Sequence, residues 1–184
     1  MKDLKCYAYW KNIDGVQCRY GTILVGKGDE RIVGNCIMKN PGSSSPVDNI
    51  SFREDGRKEF TVDATMNAVA ELFRIDKNGG SVRIYNLSDA REPDFSKAKK
   101  IIRNVDNISF LDNNLPTYIG WGDFWKNKEV TDMAKCLFEM VQPNNTYLKN
   151  EIDANPFFHP LYLMRYGRNK NECKTIIDSF NTLT

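Results

Sequence analysis

Four short polar stretches carry side chains able to do chemistry. Asn40-Pro41-Gly42-Ser43 follows an apolar run and opens a loop that continues through Ser44, Ser45 and Pro46. Asn86 ends a second apolar run, and Arg91 stands five residues further on. Trp121-Gly122 ends a third. "NPFFHPLYL" holds the single histidine of the chain, His159, between Phe158 and Pro160, with Tyr162 and Arg165 following. Asn40 could orient a water by hydrogen bonding, but an amide cannot take a proton as a base. A neutral His159 could donate a ring N–H to an oxygen on which charge develops. Asn86 could read a base edge through its paired donor and acceptor. Phe157, Phe158 or Tyr162 could stack on a base, worth about 1–3 kcal/mol. The serines and backbone N–H groups of the 40–46 loop could hold a phosphate. Each stretch also has a plainer use. Asn-Pro-Gly is a turn signal, an indole is commonly core, and arginines commonly pair with surface acids.

The elements around these stretches place them. "KCYAYW", "VQCRYGTILVG" and "RIVGNCIM" are rich in β-branched and aromatic residues and read as strands; the third ends at the Asn40 loop. Asp63 can cap a helix with Met66, Val69, Ala70 and Phe73 on one face, stopped at Asn78-Gly79-Gly80. "SVRIYN" and "TYIGW" are short strands. Phe95, Ala98, Ile101 and Ile102 predict a helix after Pro93. Val130, Met133, Ala134, Leu137 and Val141 predict a second. Cys173, Ile176, Ile177 and Phe180 predict the last. "TYLKNEI" has strand character, and "DNISFREDGRKEF" reads as a loop or small hairpin. Strands alternating with helices from about residue 31 predict one α/β domain over residues 1–184, with a mainly parallel sheet covered on both faces. The N-terminal β stretches add an edge or a hairpin. In such sheets ligands gather at the strand carboxyl ends, so all four polar stretches should converge there.

Composition narrows the function. Hydrophobic residues are 41% of 184, enough for one well-packed core. Lys and Arg total 26 against 24 Asp and Glu, which argues against a strongly basic nucleic-acid coat but allows a local basic site such as Arg165, Arg168 and Lys170. The charged N-terminus lacks the apolar centre of a signal peptide, and no apolar run has membrane-spanning length, so a cytoplasmic protein is expected. Five widely spaced cysteines and one histidine predict reduced, packed thiols, with no metal and no cofactor.

The ordered set "IMKNPGSSS", "VDATMNAV", "VRIYNLSDAREP", "YIGWG" and "FHPLYL" resembles the bacterial and phage family numbered 1643 among domains of unknown function, from about Tyr20 to Tyr166. Lys39, Gly42 and Ala64 stand where that pattern has Leu, Ser and Pro. The same order is similar, more remotely, to the uracil-DNA glycosylase superfamily, whose mismatch-specific branch carries Asn-Pro-Gly after the first core strand. The last motif departs after His159-Pro160, where Leu161-Tyr162 replaces Ser-Pro. The resemblance implies a three-layer α/β/α fold and a site at Asn40 and His159, with Pro41, Gly42, Ser43, Asn86, Arg91, Phe158, Tyr162 and Arg165 in binding roles. The partner implied is a nucleobase, nucleotide or nucleic acid. Three readings follow: an N-glycosidic hydrolase, a non-catalytic nucleotide or nucleic-acid binder, or a protein-interaction or inhibitor protein on the same fold.

Overall fold

The computed structural model describes residues 3–28, 30–47, 52–91, 111–122, 128–141, 146–149, 151–167 and 169–184. Strands β1 (Lys5–Ile13) and β2 (Val16–Val25) form a hairpin. Its two-residue turn, Asp14-Gly15, has positive φ at both positions (50° and 79°). That matches the right-handed twist of the strands it joins, and glycine at the second position relieves the strain. Strands β3 (Ile32–Met38), β4 (Lys58–Phe60), β5 (Ser81–Asn86) and β6 (Thr117–Ile119) complete a sheet of order β4-β1-β2-β5-β3-β6.

The pairing corrects the expectation of a mainly parallel sheet. Only β5–β3 and β3–β6 are parallel; β4–β1, β1–β2 and β2–β5 are antiparallel. The N-terminal hairpin is therefore half of the main sheet, not an appendage. Its inward positions Cys6, Ala8 and Leu24 are fully buried and belong to the same core as β5 and β3. Burying that apolar surface requires the hairpin to join the sheet, and a two-residue turn permits only antiparallel partners. The three strands expected to be neighbours are neighbours, and they are the parallel ones.

Helix α1 (Ala64–Leu72) starts as expected: the Asp63 carboxylate accepts the Met66 N–H at 2.9 Å. It ends one turn early. Arg74 turns left-handed (φ 57°), and a four-residue helix α2 (Ile75–Asn78) follows before Gly79. Helices α3 (Lys128–Val141), α4 (Pro160–Met164) and α5 (Lys170–Asn181) complete the described set. One core gathers Cys36, Met38, Val82, Ile84 and Tyr118 with α1, α4 and α5; the other gathers Ile37, Tyr85 and Ile119 with α3. These are alternate residues of the same strands, so the two cores lie on opposite sheet faces. Ala134, Leu137 and Val141 of α3 and Cys173, Ile176 and Phe180 of α5 are buried, in the phase their spacing predicts.

"TYLKNEI" is not a strand where described. Residues 146–149 bend, and Ile152–Ala154 form one 3₁₀ turn. Tyr147 is instead pinned by its hydroxyl, which donates to the Ile119 carbonyl at 2.7 Å. "FREDGRKEF" does form a tight hairpin-like return, with Phe52 bridged to Lys58. The helix expected from Phe95 to Ile102, Trp125 and Arg168 lie outside the described residues. All five cysteines are free, and all but Cys136 are buried. Among the described residues no helix is long and apolar enough to cross a membrane, and no group of three or more His, Cys, Asp or Glu is placed to hold a metal.

Candidate functional site

The carboxyl ends of the three parallel strands meet at one edge. Past Met38 and Asn86, β3 and β5 stay side by side: the Leu87 N–H donates to Met38 O at 2.9 Å and the Ser88 N–H to Lys39 O at 3.0 Å. On the other side the Gly120 N–H, just past β6, donates to Ile37 O at 2.8 Å. The histidine segment crosses directly over this point. A Cβ added to Gly120 would lie 2.8 Å from Pro160 Cδ and 3.1 Å from Phe158 O, so the absent side chain permits the approach. The Tyr118 hydroxyl donates to Phe158 O at 2.6 Å, and the Gly122 N–H donates to Phe157 O at 2.8 Å. The strand end thus fixes the backbone on which His159 rides.

His159 caps α4. Its Nδ1 accepts the Leu161 N–H at 3.3 Å. A ring nitrogen that accepts cannot carry the proton, so the neutral ring carries it on Nε2. Burial lowers the His159 pKa below its ordinary value, and the Asp63 carboxylate opposes that shift. The ring is therefore a neutral donor at pH 7. With Gly122, Asn155, Pro156, Phe157, Phe158 and Tyr162 it lines a cleft of about 410 Å³, within the range of small-ligand sites. Phe158 and Tyr162 meet edge to face with centroids 5.1 Å apart, and Tyr162 is 37% exposed. Such a wall can receive a flat ring.

The sign of the pH effect follows. A histidine whose folded pKa lies below its unfolded value, about 6.5, takes up its proton more readily when unfolded. Its contribution to stability is intact above pH 6.5 and is lost as pH falls from 6.5 through the lowered folded pKa. His159→Asn keeps a capping acceptor and removes the titration. Urea unfolding of the two proteins should show a shallower stability loss in the variant just below pH 6.5. Identical slopes there would contradict the burial of the ring.

The Asn40 loop lies on the same edge but does not line the cleft. Pro41 is buried, and Gly42 is left-handed (φ 68°) with open space where a Cβ would stand. The Arg19 Nη2 donates to Pro41 O at 2.5 Å. Arg91 donates to Ser43 O from both Nε and Nη2, to Ser45 Oγ at 2.7 Å and to Gln17 Oε1 at 2.8 Å. The Ser44 hydroxyl donates to Asp63 Oδ2 at 2.6 Å. Arg91 thus holds the loop through its backbone. Arg165 is exposed at the end of α4. Asn86 is half-buried at the end of β5, and its Oδ1 is buried without a hydrogen-bond partner among the described residues. Such an acceptor costs stability until a donor meets it. Trp121 is 1% exposed and packs on Phe157 at 4.9 Å, so it is core, as its residue type suggests.

Two residues of this edge escape sequence reasoning. Asp63 reads only as a helix cap, yet its second oxygen ties α1 to the loop. Arg19 reads only as a strand residue, although a lone cation inside an apolar strand run is a signal. No family model matches the chain, and no curated protein and no solved structure matches it.

Proposed function

We propose that the cleft beside His159 is a nucleobase site and that the chain is a nucleotide- or nucleic-acid-binding protein of the uracil-DNA glycosylase kind. The resemblance to family 1643 and the full three-layer glycosylase arrangement belong to this reading. The observation that carries it is a neutral His159, with its proton on Nε2, on the wall of an aromatic cleft of about 410 Å³; the orphaned Asn86 Oδ1, at the end of β5 and outside the lining of that cleft, adds a second polar group to the reading. A pyrimidine offers a carbonyl to the histidine and a flat ring to the cleft, and its N–H is the group that would satisfy Asn86 Oδ1 if the base reaches that far.

Hydrolysis of the N-glycosidic bond is the sharper version. It would need charge stabilised on the departing base, which His159 can supply, and a water held near the anomeric carbon, which Asn40 would have to orient from outside the lining of the cleft. The nearby carboxylate already serves the fold. Asp63 accepts from Met66 N–H on one oxygen and from Ser44 on the other. That favours a binder, or a slow hydrolase, over a fast one.

The test is equilibrium binding of deoxyuridine, dUMP and a deoxyuridine-containing oligonucleotide, with base release followed in parallel. His159→Asn and Asn86→Ala should each weaken binding at least tenfold, by the loss of one hydrogen bond to a buried partner, with melting temperature nearly unchanged in the first and not lowered in the second. Salt-dependent binding of the oligonucleotide alone would mark a nucleic-acid partner. Binding that ignores both substitutions sinks the site.

A further inference from the structure

We propose that Arg19 is the positioning residue of the Asn40 loop, and that it turns the Pro41–Gly42 peptide so that its N–H serves a phosphate oxygen of the bound nucleotide. This rests on the nucleotide reading above. Arg19 is fully buried on β2. Its guanidinium lies over the Phe60 ring at 4.3 Å and 5.9 Å from that of Trp10. Nη2 reaches Pro41 O at 2.5 Å, while Nε and Nη1 have no hydrogen-bond partner among the described residues.

A cation buried with idle donors lowers stability relative to an apolar side chain of the same volume. Its retention here is therefore better explained by what it positions. In a planar trans peptide the carbonyl and the following N–H point in opposite directions. An arginine that takes the Pro41 carbonyl from the core side aims the Gly42 N–H away from the core. Arg91 does the same at Ser43, so the Ser44 peptide N–H also turns from the arginine that holds its carbonyl partner. Gly42, left-handed and with no atom within 4 Å of a Cβ position, leaves room for a ligand to approach the backbone. The Arg19 and Arg91 guanidinium groups both reach backbone carbonyls of the loop, and the carboxylate bonded to the loop is that of Asp63, through Ser44. Such a loop offers outward backbone donors beside two guanidinium groups, which suits a phosphate and not a cation.

The test compares Arg19→Met, which keeps the volume against Phe60, with Arg19→Lys, which keeps a charge and one donor. NMR order parameters of the backbone amides at 42–45 should fall clearly in Arg19→Met and less in Arg19→Lys, while those in 32–38 stay unchanged. Wild type should prefer dUMP to deoxyuridine. Arg19→Met should lose at least tenfold for dUMP and less than twofold for deoxyuridine. Unchanged loop order parameters in a folded variant overturn the proposal, as does an equal loss for both ligands. Should Arg19→Met not fold, Arg19→Lys decides by the same two measurements. Should wild type bind neither ligand, the nucleotide reading fails, and the order parameters still decide whether Arg19 holds the loop.

Discussion

Trp121→Ala is expected to lower unfolding free energy by about 3–5 kcal/mol, the range for truncating a buried indole. Trp121 is 1% exposed and packs on Phe157 at 4.9 Å. Phe157 in turn meets Phe138 of α3 edge to face at 6.1 Å. Removing the indole opens a cavity under the segment that carries His159. The same Phe157 lines the cleft, so the loss should reach function as well as stability. Trp121→Phe should retain most of both, since it leaves an aromatic ring against Phe157. Chemical denaturation checks the first effect and ligand affinity the second. A loss under about 1 kcal/mol would mean that the site tolerates the void, and that the histidine segment is held from elsewhere.

The parallel part of the sheet was legible because it is written locally. Ile32–Met38, Ser81–Asn86 and Thr117–Ile119 are short apolar runs separated by helix-forming sequence, and that alternation permits few other arrangements. The placement of Asn40 and Asn86 at one edge follows from it, since parallel neighbours put their carboxyl ends together; His159 comes to that edge without the strand expected before it, on a segment that packs against Gly120. The antiparallel half was legible as strands but not as partners. Nothing in "VQCRYGTILV" names β5 as its neighbour, because pairing is chosen by which exposed edge buries most apolar surface. Arg19 shows the same limit at the site. Its residue type suggests a surface, whereas its place on the inward face of β2 is set by the register Trp10↔Arg19 across the hairpin. Asp63 was legible as a cap because capping is local; its bond to Ser44 spans nineteen residues and was not. "TYLKNEI" misled because Tyr147 supplies apolar bulk through one anchored ring stacked on Tyr118 at 5.1 Å, not through a strand.

Asn40→Asp should separate a binder from a slow hydrolase. An amide at this position can orient water but cannot accept its proton. A carboxylate can, and general-base assistance is worth about 10²–10⁴-fold where geometry allows it. The substitution is nearly isosteric, so the loop bonds of Arg19 to Pro41 and Arg91 to Ser43 need not change. Those two arginines favour the ionised form of an introduced acid, which is the form a base requires. Both Asp63 oxygens are already engaged, one by the Met66 N–H and one by the Ser44 hydroxyl. Base release from a deoxyuridine oligonucleotide should therefore rise about 10²-fold over wild type, and His159→Asn in the same background should remove most of the gain. The pH profile should acquire an acidic limb, because protonating the new carboxylate returns it to a non-basic state. If Asn40→Asp binds the oligonucleotide as wild type does yet releases no more base, then no anomeric carbon is presented to residue 40. The cleft then holds its ligand without reacting it, and the protein is a binding module.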